Sequence, residues 1–140
     1  MSYSEVVGYA VDLVSTVQPD VIYTNNISDI NADHRLISEA CMIAARPKLG
    51  STVKDLYFCE IPGSTDWAFN QIHPQFEPNV YMNITDLIEY KARLISLYST
   101  ESYAFPDARS VESSVVLARR RGSCVGVEYA EATKLVFSHR

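Results

Sequence analysis

A short apolar segment, Asp20–Thr24 (DVIYT), lies between two longer segments in which apolar residues repeat every three or four positions. Such a repeat forms one stripe along an α-helix. A short run rich in β-branched and aromatic residues is instead typical of a strand buried on both faces. The order helix, strand, helix therefore predicts an α/β domain, in which helices cover a sheet.

Cap and turn residues place the other predicted elements. Pro19 ends the first helix, and Arg46-Pro47 ends the second, because the residue before a proline avoids the helical region. We expect Thr85 to cap a third helix and Gly122 to end a fourth. Helices are predicted at 4–18, from Asn31 to 46, from Thr85 to about 98, and at 110–121, with strands at 20–24, 55–61 and 79–84. Residues 1–140 are predicted to form one domain with one core.

Charge and cysteine content exclude several classes of protein. A net charge of −5 gives no general attraction for nucleic acid or anionic lipid. The basic cluster Arg119–Arg121 is typical of a last helical turn. Cys41, Cys59 and Cys124 lack the spacing of a zinc knuckle or a disulfide framework and indicate free thiols in a reducing compartment. No signal peptide or membrane span is predicted, so we expect a cytoplasmic protein.

The segment after the first strand, residues 24–35 (TNNISDINADHR), concentrates Asn and Asp around one histidine. Ligands bind where strands of an open α/β sheet end. Asn31 is a suitable N-cap, and the positive helix end favours a neutral His34 ring with a lone pair for a metal or a proton. Alternatively, these residues only form the turn and cap, and His34 packs or faces solvent. Neither His73, in a loop, nor His139, near the last residue, is an obvious second ligand.

Several segments, in order along essentially the whole chain, resemble one protein family. They are PDVIYT with DINADHRLISEACMIAARP, EIPGSTDW (60–67), EPNVYMNI (77–84), Arg109-Ser110, Arg121-Gly122-Ser123 and GVEYAE (126–131). The resemblance is to the PIG-L/LmbE-like zinc deacetylases. It implies a three-layer, Rossmann-like α/β fold of LmbE type. The chain resembles the C-terminal half of that fold, without its N-terminal strands.

The resemblance also implies a chemistry. Members of the family use zinc to polarise an amide and activate water, and they remove an acyl group from an amino sugar. By the resemblance His34 is a zinc ligand, and Asn31 and Asp33 are catalytic residues. The residues implied to contact an N-acetylated amino sugar are Arg35, Glu60, Thr65, Trp67 and Tyr129. Trp67 is equally well interpreted as a buried anchor of its own loop, and Tyr129 as a residue packed at the end of a strand.

The chain departs from the family pattern in three places. It has no Ala-His-Pro-Asp-Asp-Glu motif, which normally supplies two zinc ligands and the general base. Asn25 occupies the position of a usual histidine, and Asp107-Ala108 that of His-Pro. Three hypotheses stay open: an enzyme completed by a second polypeptide with the missing motif, a catalytically inactive sugar-binding pseudoenzyme, or a truncated product of little function. We also expect a homo-oligomer in which a copy covers the exposed edge of strand 20–24.

Overall fold

A computed structural model describes residues 1–69 and 74–140, so the prediction about His73 lies outside the described residues. The elements are α1 (Tyr3–Val17), β1 (Val21–Asn25), α2 (Ala32–Ala44), β2 (Asp55–Cys59), β3 (Val80–Asn83), α3 (Ile88–Ser96), α4 (Val111–Ser123) and β4 (Ala130–Ser138). Short 3₁₀ turns lie at Asp66–Ala68 and Thr85–Leu87. The strands hydrogen-bond in the order β1-β2-β4-β3. The described residues therefore form the mixed α/β architecture that the sequence predicts.

The residues group into two compact units, and the first comprises Met1–Glu77 with Thr133–Arg140. In this unit β1 runs parallel to β2, and β2 runs antiparallel to β4. Helix α1 contacts α2, which contacts β1. The core is formed by buried Ala45, Val53 and Leu56, on which Val14 and Ile22 pack.

The second unit is Pro78–Ala132, in which α3 contacts α4 and α4 contacts β3. Ser110 caps α4, because its hydroxyl accepts a hydrogen bond from the Ser113 N–H at 2.9 Å. The Ile84 N–H donates to the carbonyl of Tyr129 at 3.0 Å. The assignment of residues 1–140 to a single domain stays a prediction.

Two sequence predictions about the later part of the chain are wrong, and the predicted end of one helix is off by one residue. The sequence predicts no strand at β4, because the segment Ala130–Ser138 mixes small, charged and apolar residues without a clean alternation. Helix α4 ends at Ser123, one residue beyond Gly122, at which the sequence predicts its end; a Cβ on Gly122 would come within 2.7 Å of the carbonyl oxygens of Val127 and Glu128. Thr85 does not cap α3, because it lies in the preceding 3₁₀ turn and donates its own hydroxyl to the Asn83 side chain.

The other predicted helices and strands are confirmed to within a few residues. Pro19 follows α1, and Gln18 before it adopts a left-handed conformation with φ of 52°. Helix α2 ends at Ala44, two positions before Arg46. Among residues 1–69 and 74–140, no helix combines the length and the apolar character that crossing a bilayer requires.

Candidate functional site

The Asx-rich loop joins the carboxyl end of β1 to the first turn of α2. Asn31 is the N-cap of α2, and its side-chain oxygen accepts a hydrogen bond from the Asp33 N–H at 2.9 Å. In the second turn of the helix, the buried Ser38 hydroxyl donates to the carbonyl oxygens of Asn25 and His34. The helix start is thereby held against the strand end, and His34 lies in the first turn at this edge of the sheet.

Asp29 is the centre of the site. Its side chain is 0% exposed, and its Oδ2 lies 2.8 Å from Nδ1 of His34, whose side chain is 21% exposed. A carboxylate only accepts hydrogen bonds, so the His34 ring carries a proton on Nδ1. Nε2 of the neutral ring is then left with the lone pair that a metal ion or a proton could use.

A second loop, which follows β2, holds Asp29 from the other side. The Thr65 hydroxyl donates to Oδ1 of Asp29 at 2.6 Å and accepts from the Ile61 N–H at 2.8 Å. The Ile30 N–H donates to the carbonyl of Ser64 at 2.8 Å. Both carboxylate oxygens of Asp29 are therefore satisfied, which a buried charge requires.

Arg35 fastens the same loop from within α2. Its Nη1 donates to the carbonyl oxygens of Asp29 and Ile30, at 2.7 and 2.6 Å. These two carbonyls belong to the chain just before the helix. The guanidinium thus fixes the path of the backbone that carries Asp29.

The structure brings five of the predicted site residues together: Asn31, Asp33, His34, Arg35 and Thr65. Glu60 directly follows β2, and Trp67 lies in the 3₁₀ turn with 37% of its surface exposed. Tyr129 belongs to the second unit, where its N–H donates to the Thr85 hydroxyl at 3.3 Å. The roles assigned to these eight residues remain predictions.

Asp29 is the residue that the sequence pattern does not single out. Asp29 and Asp33 both flank His34 in the sequence, and either could orient the ring. Asp33 is exposed in the first helical turn, whereas Asp29 is buried. Only the fold distinguishes the two, because Asp29 reaches Thr65 across 36 positions of sequence.

Two further buried polar atoms lie at the end of β1. Oγ1 of Thr24 and Nδ2 of Asn26 have no hydrogen-bond partner among the described residues. Buried polar groups are normally paired, so this is an unusual concentration of unsatisfied groups in one short segment. They immediately precede the loop that carries Asp29.

A zinc site needs three protein ligands and one open position if it is to activate water. Within 1–69 and 74–140, no group of three His, Cys, Asp or Glu side chains is arranged to hold a metal ion. His34 fits the role of one ligand, since its Nδ1 is already held by a carboxylate. The described residues therefore do not form a complete zinc site, and the ligand role of His34 stays a prediction.

Comparison with known proteins gives the fold. No protein-family model matches the chain, and no curated protein matches its sequence. Eight chains of solved structures are similar to this chain, among them the three that follow. The conserved protein TT1542 of Thermus thermophilus has a TM-score of 0.73 and 19% identity, over 97% of this chain and 60% of that one. The 4-carboxy-2-hydroxymuconate hydratase GalB of Pseudomonas putida has a TM-score of 0.67 and 21% identity, over 100% and 61%.

The third structure is the N,N'-diacetylchitobiose deacetylase of Pyrococcus horikoshii, in complex with its inhibitor MPG. Its TM-score is 0.64 and its identity 17%, over 96% of this chain and 52% of that one. The three likenesses confirm the predicted α/β fold of LmbE type. This chain spans 52 to 61% of the length of these proteins. One is a deacetylase and another a hydratase, so the fold alone does not fix the reaction.

Proposed function

We propose that this chain is part of a zinc-dependent amide hydrolase that removes the acetyl group from an N-acetylated amino sugar. The observation that supports this is the contact between the buried Asp29 carboxylate and Nδ1 of His34 at 2.8 Å. Histidine ligands of metals commonly donate their second ring nitrogen to a carboxylate, which fixes the tautomer and the ring orientation. In this proposal Nε2 of His34 binds the zinc ion.

The energetics of Asp29 favour this role over a simple packing role. Burying a carboxylate costs several kcal/mol before its partners compensate. Here the compensation comes from the Thr65 hydroxyl and the His34 ring. A histidine that only filled space would not need such a partner. The arrangement supports a ring that must keep one tautomer and one orientation.

The remaining ligands must come from outside the described residues. We propose that a second polypeptide, or a further part of the protein, supplies two ligands and the general base. The similar solved structures are longer than this chain, which spans 52 to 61% of their length. Zinc bound in this way would polarise the amide carbonyl and lower the pKa of a water molecule.

The other residues of the loop have roles that follow from their bonds. The side-chain oxygen of Asn31 accepts the Asp33 N–H, so its amide NH₂ is left to donate to the oxyanion of the substrate. Arg35 and Thr65 hold the loop and thereby position His34. Sugar contacts are proposed for Glu60, Trp67 and Tyr129.

A second candidate function is that of a sugar-binding protein without catalysis. It is favoured by the absence of a three-ligand group among the described residues and by Asn25 at the end of β1. In this case the loop would still recognise an amino sugar. The two candidates differ in whether the assembled protein binds zinc and releases acetate.

The test uses the tagged chain purified from its own cells, together with whatever protein stays bound. Zinc content and acetate release from N-acetylglucosamine and N,N'-diacetylchitobiose are measured for the assembly and for the chain alone. We expect bound zinc and acetate release in the assembly, and neither of them in the chain alone. His34→Ala should abolish both, whereas His139→Ala, at an exposed histidine, should change neither.

Two results would contradict the proposal. One is zinc-dependent acetate release by the chain alone, and the other is an active assembly that tolerates His34→Ala.

The ring orientation can be tested separately by nitrogen NMR of the chain. Asp29→Asn allows the amide NH₂ to face Nδ1, so we expect the His34 proton to move toward Nε2.

A further inference from the structure

Helix α3 carries apolar side chains on a face that nothing in the described residues covers. Its other face, with Ile88, Ala92 and Ile95, is half-buried, and the helix has no fully buried residue. The exposed face is called the α3 stripe. It consists of Leu87, Tyr90, Leu94, Leu97 and Tyr98, whose exposed fractions are 54, 59, 41, 69 and 70%.

The α3 stripe is one continuous surface. Tyr90 and Leu94 are four positions apart and lie on the same face of the helix. Leu87 comes one turn earlier, and Leu97 and Tyr98 extend the row past the end of α3. With two tyrosines and three leucines about half exposed, the stripe presents on the order of 500 Å² of apolar surface. A patch of that size is comparable to the largest that a typical monomer exposes, and such patches are often functional.

The charges beside the α3 stripe indicate what covers it. Glu89 and Arg93 are exposed and lie four positions apart on one flank, and Asp86 precedes them. None of the three side chains forms an ion pair within residues 1–69 and 74–140. On the other flank Lys91 is already bonded to Glu131. The free flank is therefore acidic toward its N-terminal end and basic toward its C-terminal end.

The acidic and basic ends of this flank complement each other when a second copy of the helix runs in the opposite direction. If two copies of α3 pack antiparallel, Arg93 of one copy lies beside the partner subunit's Glu89, and the reverse contact forms by symmetry. Within one copy, Glu89 and Arg93 are separated by about 6 Å along the axis of α3. The two-fold axis of the helix pair therefore passes midway between them, next to Tyr90 and Leu94. In a parallel two-fold pair this flank would instead face the other flank of the partner, so Glu89 and Arg93 would form no such contacts and would not favour that direction.

We propose that the α3 stripe is the docking site for a second copy of this chain, in an antiparallel, two-fold symmetric helix pair. The apolar side chains supply the buried surface, and the Glu89 and Arg93 contacts select the antiparallel direction. This inference does not depend on the proposed catalytic function, because it uses no residue of the first unit.

The test is sedimentation velocity of the full chain over a range of concentrations. We expect a dimer that Leu94→Glu abolishes. Arg93→Glu and Glu89→Arg should each weaken the dimer at least tenfold, because each brings like charges together. Mixing these two variants should restore association between unlike chains to near the original affinity. Leu49→Glu, at a leucine that is fully exposed in the first unit, should leave the dimer unchanged.

Circular dichroism of every variant shows whether a loss of association reflects a loss of folding. A chain that stays monomeric at all concentrations would overturn the inference. So would a dimer that tolerates Leu94→Glu but is broken by Tyr23→Lys in the edge strand β1, since the copies would then pair through the sheet. If the two charge variants weaken the dimer but do not associate with each other, the antiparallel direction is wrong.

Discussion

Replacing Thr65 by valine tests whether the loop after β2 holds Asp29 in place. Valine has nearly the shape of threonine but has no hydroxyl, so the substitution removes two hydrogen bonds and little packing. One is the bond donated to Oδ1 of Asp29 at 2.6 Å, and the other is accepted from the Ile61 N–H at 2.8 Å. The Asp29 carboxylate, which is 0% exposed, is left with one partner.

The expected loss of stability follows from these two bonds. A hydrogen bond to a charged group contributes about 1.5–3 kcal/mol, and a neutral one about 1 kcal/mol. The buried Oδ1 of Asp29 cannot turn to water, so the loss of its bond contributes the larger share, about 2 kcal/mol. We expect Thr65→Val to lower the free energy of unfolding by about 3 kcal/mol.

Urea unfolding, followed by the fluorescence of Trp67, measures this loss. Trp67 is the only tryptophan of the chain and lies two positions from Thr65. With a urea dependence of about 2 kcal/mol per molar, the midpoint should fall by roughly 1.5 M. The matched control is Thr52→Val, which removes one neutral bond to the carbonyl of Pro19 and should cost about 1 kcal/mol. Equal losses for the two variants would refute the role given to Thr65.

Two further predictions concern stability. The pKa of Asp55 is lowered mainly by a hydrogen bond from Ser138 and next by one from Arg140. The contribution of Asp55 to the free energy of unfolding is therefore present above the ordinary aspartate pKa. It is lost as pH falls through the pKa of the folded state. The difference in urea midpoint between the unchanged chain and Asp55→Asn should therefore shrink below about pH 4. Gly122→Ala should destabilise the protein by about 1–3 kcal/mol, because the new Cβ meets two carbonyl oxygens. Gly8→Ala in α1, where a Cβ would have nothing within 4 Å, should stabilise it by about 0.5–1 kcal/mol. Thermal melts that rank the two variants the other way would contradict this prediction.

The sequence predicts the start of the fold well because the signals there are local. Pro19 ends α1, β1 is a short β-branched run, and Asn31 caps α2 through a bond two positions away. Each of these depends on neighbours in the sequence, and the structure confirms each one. The same locality places His34 in the first turn of α2.

The clearest error arises where distant backbone decides. Strand β4 has a weak pattern of its own and is defined by pairing with β2. That contact cannot be read from a window of neighbouring residues. At Gly122 the local pattern of a helix end is correct to within one residue, since α4 ends at Ser123, and the chain then turns back so that the Val127 and Glu128 carbonyls approach Gly122.

The many oxygens around His34 have separate functions, which explains why the loop is so rich in Asn and Asp. Asn31 caps the helix, while Asp29 orients the ring. The bonds from Arg35 and Thr65 that hold Asp29 all lie within this chain. The imidazole is therefore oriented before any metal or partner arrives, and a partner that brought further ligands would not have to order it. Such preorganisation lowers the cost of binding. A single residue held this way is thus consistent with a site that is completed only on assembly, as proposed here.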